Sequence, residues 1–174
     1  MPEAIYLAPA KINLFLHITS KRADGYHNLQ TIFQLLNFSD EVTFSLRNDG
    51  KIKRIYGNET KSPDKDLILR SAHTLKKYSK TKTGVDIGVI KKIPIGGGLG
   101  GGSSNAATVL IALNDLWNLK LPKSELLDIG QTLGADVPVF VNGHSAWAEG
   151  KGDILTPINL PRFFYLVVSI NKHI

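Results

Sequence analysis

Between Lys91 and Ala107 the chain reads Lys-Lys-Ile-Pro-Ile-Gly-Gly-Gly-Leu-Gly-Gly-Gly-Ser-Ser-Asn-Ala-Ala. Six of the sixteen glycines lie between Gly96 and Gly102, interrupted only by Leu99. Glycine leaves the backbone N–H groups uncovered and permits positive φ, so such a loop can wrap closely around an anion. Ser103, Ser104 and Asn105 are natural helix N-caps, and Ala106, Leu110, Leu113 and Trp117 recur at helical spacing behind them. A flexible connector is the competing reading, but connectors are not usually followed without a spacer by a capped amphipathic helix. A glycine loop that delivers its ligand to a helix N-terminus is a phosphate site by geometry and dipole together. The loop lacks the Gly-Lys-Ser/Thr ending of a Walker A motif. Gly96, Gly98 and Gly101 satisfy the dinucleotide spacing, as any glycine run does, yet no acid follows at the distance a ribose needs.

A chain of 174 residues with 43% hydrophobic and 21% charged residues suits one domain with a real core. The absence of cysteine excludes a disulfide scaffold, a thiol nucleophile and cysteine metal sites. No apolar run is long enough to span a bilayer, and the start has no basic region ahead of an apolar one. These features lead us to expect a soluble, cytoplasmic protein. The formal net charge of +6 favours anionic partners, either nucleotides and phosphorylated metabolites or nucleic acid. Lysines and arginines are scattered at Lys11, Lys51 to Arg54, Lys76 to Lys82 and Lys91 to Lys92, without the interleaved aromatics of an RNA-reading sheet. Nucleic acid is therefore the lesser reading.

Ile5 to Ile18 alternates as a half-buried strand, which by spacing alone makes Lys11 a lysine solvating an edge. Asp24-Gly25 is a turn, with Tyr26 and His27 just behind it. Strands are expected at Leu29 to Leu36 and Glu41 to Leu46, joined through Asn37 to Asp40, and at Ile52 to Tyr56, giving a β-meander. The period then changes: a helix capped near Asp64 or Asp66, a strand from Val85 to Ile90 that feeds the glycine loop, the loop helix, and a helix starting near Lys123 or Ser124. Gly134-Ala135-Asp136 follows, before an expected buried strand from Val137 to Val141. In isolation Asp136 reads as a turn residue capping backbone N–H groups. Phe163 to Ile170 is expected as an apolar strand. The fold class is α+β: a meander and mixed sheet packed with helices.

Four segments, Ala8 to Leu14, Arg22 to Thr31, Pro94 to Ala107 and Leu133 to Pro138, together resemble the 4-diphosphocytidyl-2-C-methyl-D-erythritol kinases, a branch of the GHMP kinases of non-mevalonate isoprenoid synthesis. The resemblance runs in order over essentially the whole chain. It implies the GHMP kinase N-terminal domain, a fold shared with a ribosomal protein, over residues 1–174, with the family's C-terminal domain absent. It implies that Pro94, Ile95, Gly96, Gly97, Gly98, Leu99, Gly100, Gly101, Gly102, Ser103 and Ser104 wrap the phosphates of ATP, with Lys91 close by. Asp136 becomes the catalytic base and Lys11 its partner, reversing the readings from spacing. Tyr26, His27 and Phe33 would hold the cytosine end of the substrate, and Asn13 would lie beside the reacting hydroxyl.

The implied reaction is ATP-dependent, Mg²⁺-assisted phosphorylation of the 2-hydroxyl of a cytidine diphosphate-linked methylerythritol. The metal ligands stay unassigned, with Ser104 as a candidate. Asp66 stands where the family commonly has Asn beside the adenine pocket. The chain's ending does not resemble the family's continuation. A nucleotide-binding fragment without catalysis is therefore the alternative, with a nucleic-acid module behind it, and a homodimer through surface left by the missing domain is a further expectation.

Overall fold

The computed structural model describes residues 4–57 and 63–168. In chain order the elements are β1 (Ala4–Lys21), β2 (His27–Arg47), β3 (Ile52–Tyr56), a 3-10 turn (Pro63–Lys65), α1 (Leu67–Ser79), β4 (Gly84–Ile90), α2 (Gly101–Leu116), α3 (Lys123–Leu133), α4 (Val137–Asn142), β5 (Ala146–Glu149) and β6 (Ile154–Pro157). Six strands make one mixed sheet in the order β3-β4-β2-β5-β6, with β1 paired to β2. All pairs are antiparallel except β3 and β4. The β1–β2 hairpin is therefore not extended in sequence order. The slot beside β2 goes to β4, whose Val85, Ile87 and Val89 are buried, while β3, with Lys53 and Ile55 exposed, takes the edge. No helix among the described residues is long and apolar enough to cross a membrane.

The expected joint from Asn37 to Asp40 lies inside β2. Pro9 pairs with Ser39 and Lys11 with Leu35, so a bulge takes up the extra residues without ending the strand. Val137 to Val141 is helical, not extended. Pro138 sits in the first turn of α4, where a missing N–H is harmless, and all five residues are buried. A short apolar run buried on every side carries no period to read. Residues 163–168 have no regular structure and are largely exposed, so the expected strand is not formed there; its last two positions lie outside the described residues.

Helix α2 is the centre of the helical layer and touches β1, β2, α1, α3 and α4. Ala106, Ala107, Val109, Leu110, Ala112 and Leu113 are all buried, as befits a helix apolar nearly all round. Asp66 caps α1, accepting from the N–H groups of Ile68 (2.8 Å) and Leu69 (3.4 Å). The cap of α2 falls on Gly100, with no side-chain bond, so Ser103, Ser104 and Asn105 lie inside the helix and not at its cap.

Candidate active site

The glycine loop is fixed at its middle. Leu99, its one large side chain, is buried with Ala10 and Ile93 in a small apolar cluster, and its carbonyl accepts from the Lys11 N–H at 3.0 Å. The glycines bend the chain around that anchor: Gly96, Gly98 and Gly100 have φ of 76°, 71° and 71°. The first helical bond of α2 runs from the Ser104 N–H to the Gly100 carbonyl (2.8 Å). Gly101, Gly102 and Ser103 thus begin the helix without a side-chain cap and line a cleft of about 450 Å³. Arg54, Lys65, Asp66, Lys91 and Asp136 line it too. A Cβ on Gly98 would meet nothing within 4 Å, so the loop has open space above it for a ligand.

Lys11 is 5% exposed, far from the solvated edge lysine that its spacing suggested. Its Nζ lies 3.2 Å from Asp136 Oδ2, donates to Asn13 Oδ1 at 2.6 Å, and sits 5.3 Å above the centre of the Phe33 ring. Asn13 in turn donates to the Thr31 hydroxyl (2.9 Å), which donates to the Phe15 carbonyl. Asp136 occupies the N-cap position of α4 but makes no capping bond; its side chain, 36% exposed, turns to Lys11 instead. The pair joins a buried cation to a carboxylate open to the cleft. Such a carboxylate can take a proton from an alcohol.

A second polar cluster stands at the base of the loop, around Asp40. This wholly buried carboxylate accepts from the N–H groups of Lys92 (2.7 Å) and Ile93 (2.8 Å), from Asn105 Nδ2 (2.9 Å) and from Lys91 Nζ. Burial pushes the carboxyl up, but the bonds from Ile93, Lys91, Lys92 and Asn105 more than reverse this and hold it below the usual carboxylate range. On the cleft's other wall Arg54 pairs with Asp66 (3.4 Å), the same carboxylate that caps α1.

The structure thus brings Lys11, Asn13, Phe33 and Asp136 together beside the glycine loop and Lys91. Phe33 is 3% exposed and lies beneath Lys11, so its ring is not presented to a ligand here. Tyr26 and His27 lie apart, exposed at the hairpin tip. Along β2, His27 is about 20 Å from Phe33 at strand rise. The Gly150 to Gly152 turn spans the interval: the Gly150 carbonyl accepts from the Leu29 N–H, Lys151 Nζ is 5.2 Å from the centre of the Tyr26 ring, and a Cβ on Gly152 would come within 3.8 Å of Phe33. Ser104 is buried in α2 and does not line the cleft, whereas Ser103 does. Sequence reasoning missed Asp40, Thr31 and Asn105. Asp40 gave no clear signal, since it stands at the end of the expected joint from Asn37 to Asp40.

Residues 66–144 match the family described as GHMP kinases N terminal domain. A 4-diphosphocytidyl-2-C-methyl-D-erythritol kinase of Ruthia magnifica subsp. Calyptogena magnifica is 60% identical over 171 residues, which is 98% of this chain and 60% of that protein. The protein of that name from Vesicomyosocius okutanii subsp. Calyptogena okutanii is 57% identical over 174 residues, all of this chain and 61% of its own length. The chain therefore spans about 60% of the length of these curated relatives. Among solved structures, a 4-(cytidine 5'-diphospho)-2C-methyl-D-erythritol kinase superposes with a TM-score of 0.79 at 38% identity, over 91% of this chain and 56% of that one. The Methanococcus jannaschii mevalonate kinase shares the fold, with a TM-score of 0.66 at 18% identity over 91% of this chain and 56% of its own. With its mixed sheet, its anchored glycine loop and these relatives, the chain has the fold of the GHMP kinase N-terminal domain.

Proposed function

We propose that residues 1–174 form one nucleotide-binding and catalytic domain that serves transfer of the ATP γ-phosphoryl group to the 2-hydroxyl of 4-diphosphocytidyl-2-C-methyl-D-erythritol, in the cytoplasm. The observation that carries this reading is the Lys11–Asp136 pair, 3.2 Å apart, beside a glycine loop whose helix start is uncapped. The phosphates would lie on the N–H groups of Gly101, Gly102 and Ser103, where the helix dipole favours negative charge. Asp136 takes the hydroxyl proton as the new O–P bond forms, and the bond to the ADP oxygen breaks. Lys11 adds positive charge where the transferring group gathers negative charge. Asn13, bonded to Lys11, holds the ammonium on its Asp136 side, and Tyr26 and His27 offer a stacking face and a hydrogen-bonding ring for the cytosine.

No group of three His, Cys, Asp or Glu side chains converges among the described residues. The cleft does present the Asp136 carboxylate and the Ser103 hydroxyl near the start of α2. That set fits Mg²⁺, which keeps several waters and is held by one or two carboxylates together with substrate phosphates. Bound there, it would offset charge on the phosphates. The test is ATP-dependent phosphorylation of the cytidylyl substrate by the chain and by Asp136→Asn. The variant should lose about 10²- to 10⁴-fold in turnover, the range for general-base catalysis, with affinity for metal-free nucleotide kept. Equal, substantial turnover by both would remove Asp136 from the reaction. The exposure of Asp136 favours a second reading, nucleotide binding without transfer, because phosphoryl transfer profits from exclusion of water. Saturable ATP binding with no turnover by the unaltered chain would select it.

A further inference from the structure

Asp40 has no part in the chemistry above, yet it is among the most heavily bonded side chains of the molecule. It lies in β2 just past the bulge, beside Ser39, which pairs with Pro9 of β1. One carboxylate oxygen accepts from the backbone of Lys92 and Ile93, which enter the glycine loop; the other accepts from Asn105, in the helix that leaves it. Lys91 Nζ closes the figure, donating both to Asp40 and to Asn105 Oδ1 (3.1 Å). A Cβ on Gly101 would stand only 3.1 Å from Lys91 Nζ, so the ammonium lies against the first residue of α2. The two ends of the loop and the lysine of the cleft wall are thus held at one buried point.

We propose that Asp40 is a positioning residue that clasps the two ends of the glycine loop and fixes the Lys91 ammonium against the N-terminus of α2, and that it thereby sets affinity for the phosphates of the nucleotide. This rests on the nucleotide-binding reading of the cleft. A carboxylate is required because every group around Asp40 is a donor: two backbone N–H groups, an amide NH₂ and an ammonium. Asparagine at this position keeps the size and can still accept from the backbone, but its own NH₂ then faces Asn105 and Lys91 with nothing to accept it. The Asn105 amide must turn and Lys91 must leave. A released lysine is mobile, and an ammonium that has to be ordered again on binding contributes less affinity than one already in place.

The test measures binding of ATP and of adenosine, by calorimetry, to the unaltered chain and to Asp40→Asn, Lys91→Met and the double variant. Each single change should weaken ATP by about tenfold, 1.4 kcal/mol, while adenosine binding stays unchanged. The double variant should be no weaker than the worse single, because the two residues act as one unit. ATP affinity unchanged or improved in Asp40→Asn, or equal losses for ATP and adenosine, would overturn the proposal, the latter by showing a general loss of structure. Should Asp40→Asn not fold, Asn105→Leu combined with Lys91→Met supports the same comparison by the same outcomes. Failure of the unaltered chain to bind ATP at all would strike the nucleotide reading itself and is thereby distinguished from failure of the clasp.

Discussion

Lys11 shows how one residue serves two levels of structure. Its backbone N–H holds Leu99 and hence the glycine loop, while its side chain holds Asp136 and Asn13. Alternation along Ile5 to Ile18 correctly predicts a strand but not which polar residue the fold covers, since burial of Lys11 depends on Phe33, Gly100 and Asp136 from distant segments. The roles proposed for Lys11 and Asp136 were legible only through resemblance, because spacing made both ordinary. Asp40 was hidden for a related reason: an acid between Ser39 and Glu41 looks like a turn, and only the bulge carries it inward. Its titration gives a prediction. The folded carboxyl lies below its ordinary value, so it contributes stability above the unfolded pKa, about 3.9, that is lost as pH falls through the folded value. Urea unfolding from pH 7 to pH 3 should show stability falling with acid, and Asp40→Asn should flatten that fall. An identical pH dependence in the variant would remove Asp40 as its source.

Elements with strong caps or clear periods were legible. α1 was bounded by its acidic cap, Asp66, and β4 and α3 by their apolar spacing. α4 was not, being six residues long and buried throughout its apolar run. The glycine run marked the loop that lines the cleft, but which glycines are indispensable needs the structure. Gly98 and Gly100 share a φ of 71°, yet a Cβ meets nothing at Gly98, whereas at Gly100 it would stand 2.7 Å from the Phe140 ring and 3.2 Å from Lys11 Cε. Alanine at either site bears the cost of a left-handed conformation, about 1–2 kcal/mol. Gly100→Ala must also displace Phe140 or Lys11, so chemical denaturation should show it as the less stable variant by a further 1 kcal/mol or more, about the low end of overpacking costs. Equal losses for the two would mean that the Phe140 and Lys11 contacts yield freely.

At the scale of the whole molecule, α+β architecture was legible from the change of period after Tyr56, but the place of β3 beyond β4 was not, because strand order leaves little trace in a local pattern. The molecule also shows apolar surface that composition could not locate. Ile5 and Leu7 of β1 are 64% and 65% exposed, and Phe164 and Leu166 are exposed beyond β6. Surface of this kind favours association. Sedimentation at rising concentration should show a second copy bound, and Phe164→Ser with Leu166→Ser should weaken that binding; a chain monomeric at every concentration would exclude it. Lys11 and Asp136 also stand at opposite ends of most of the folded chain, whereas Lys91 and Asn105 are 14 residues apart. Contacts between distant segments come slowly in folding because the intervening chain must first be closed. The Lys91–Asn105 bond across the glycine loop can therefore form early, while the Lys11–Asp136 pair and the Lys11–Leu99 bond wait for β1 to be zipped onto β2. In a half-folded chain the two ends of the loop would already be tied together while its middle still hung loose from β1.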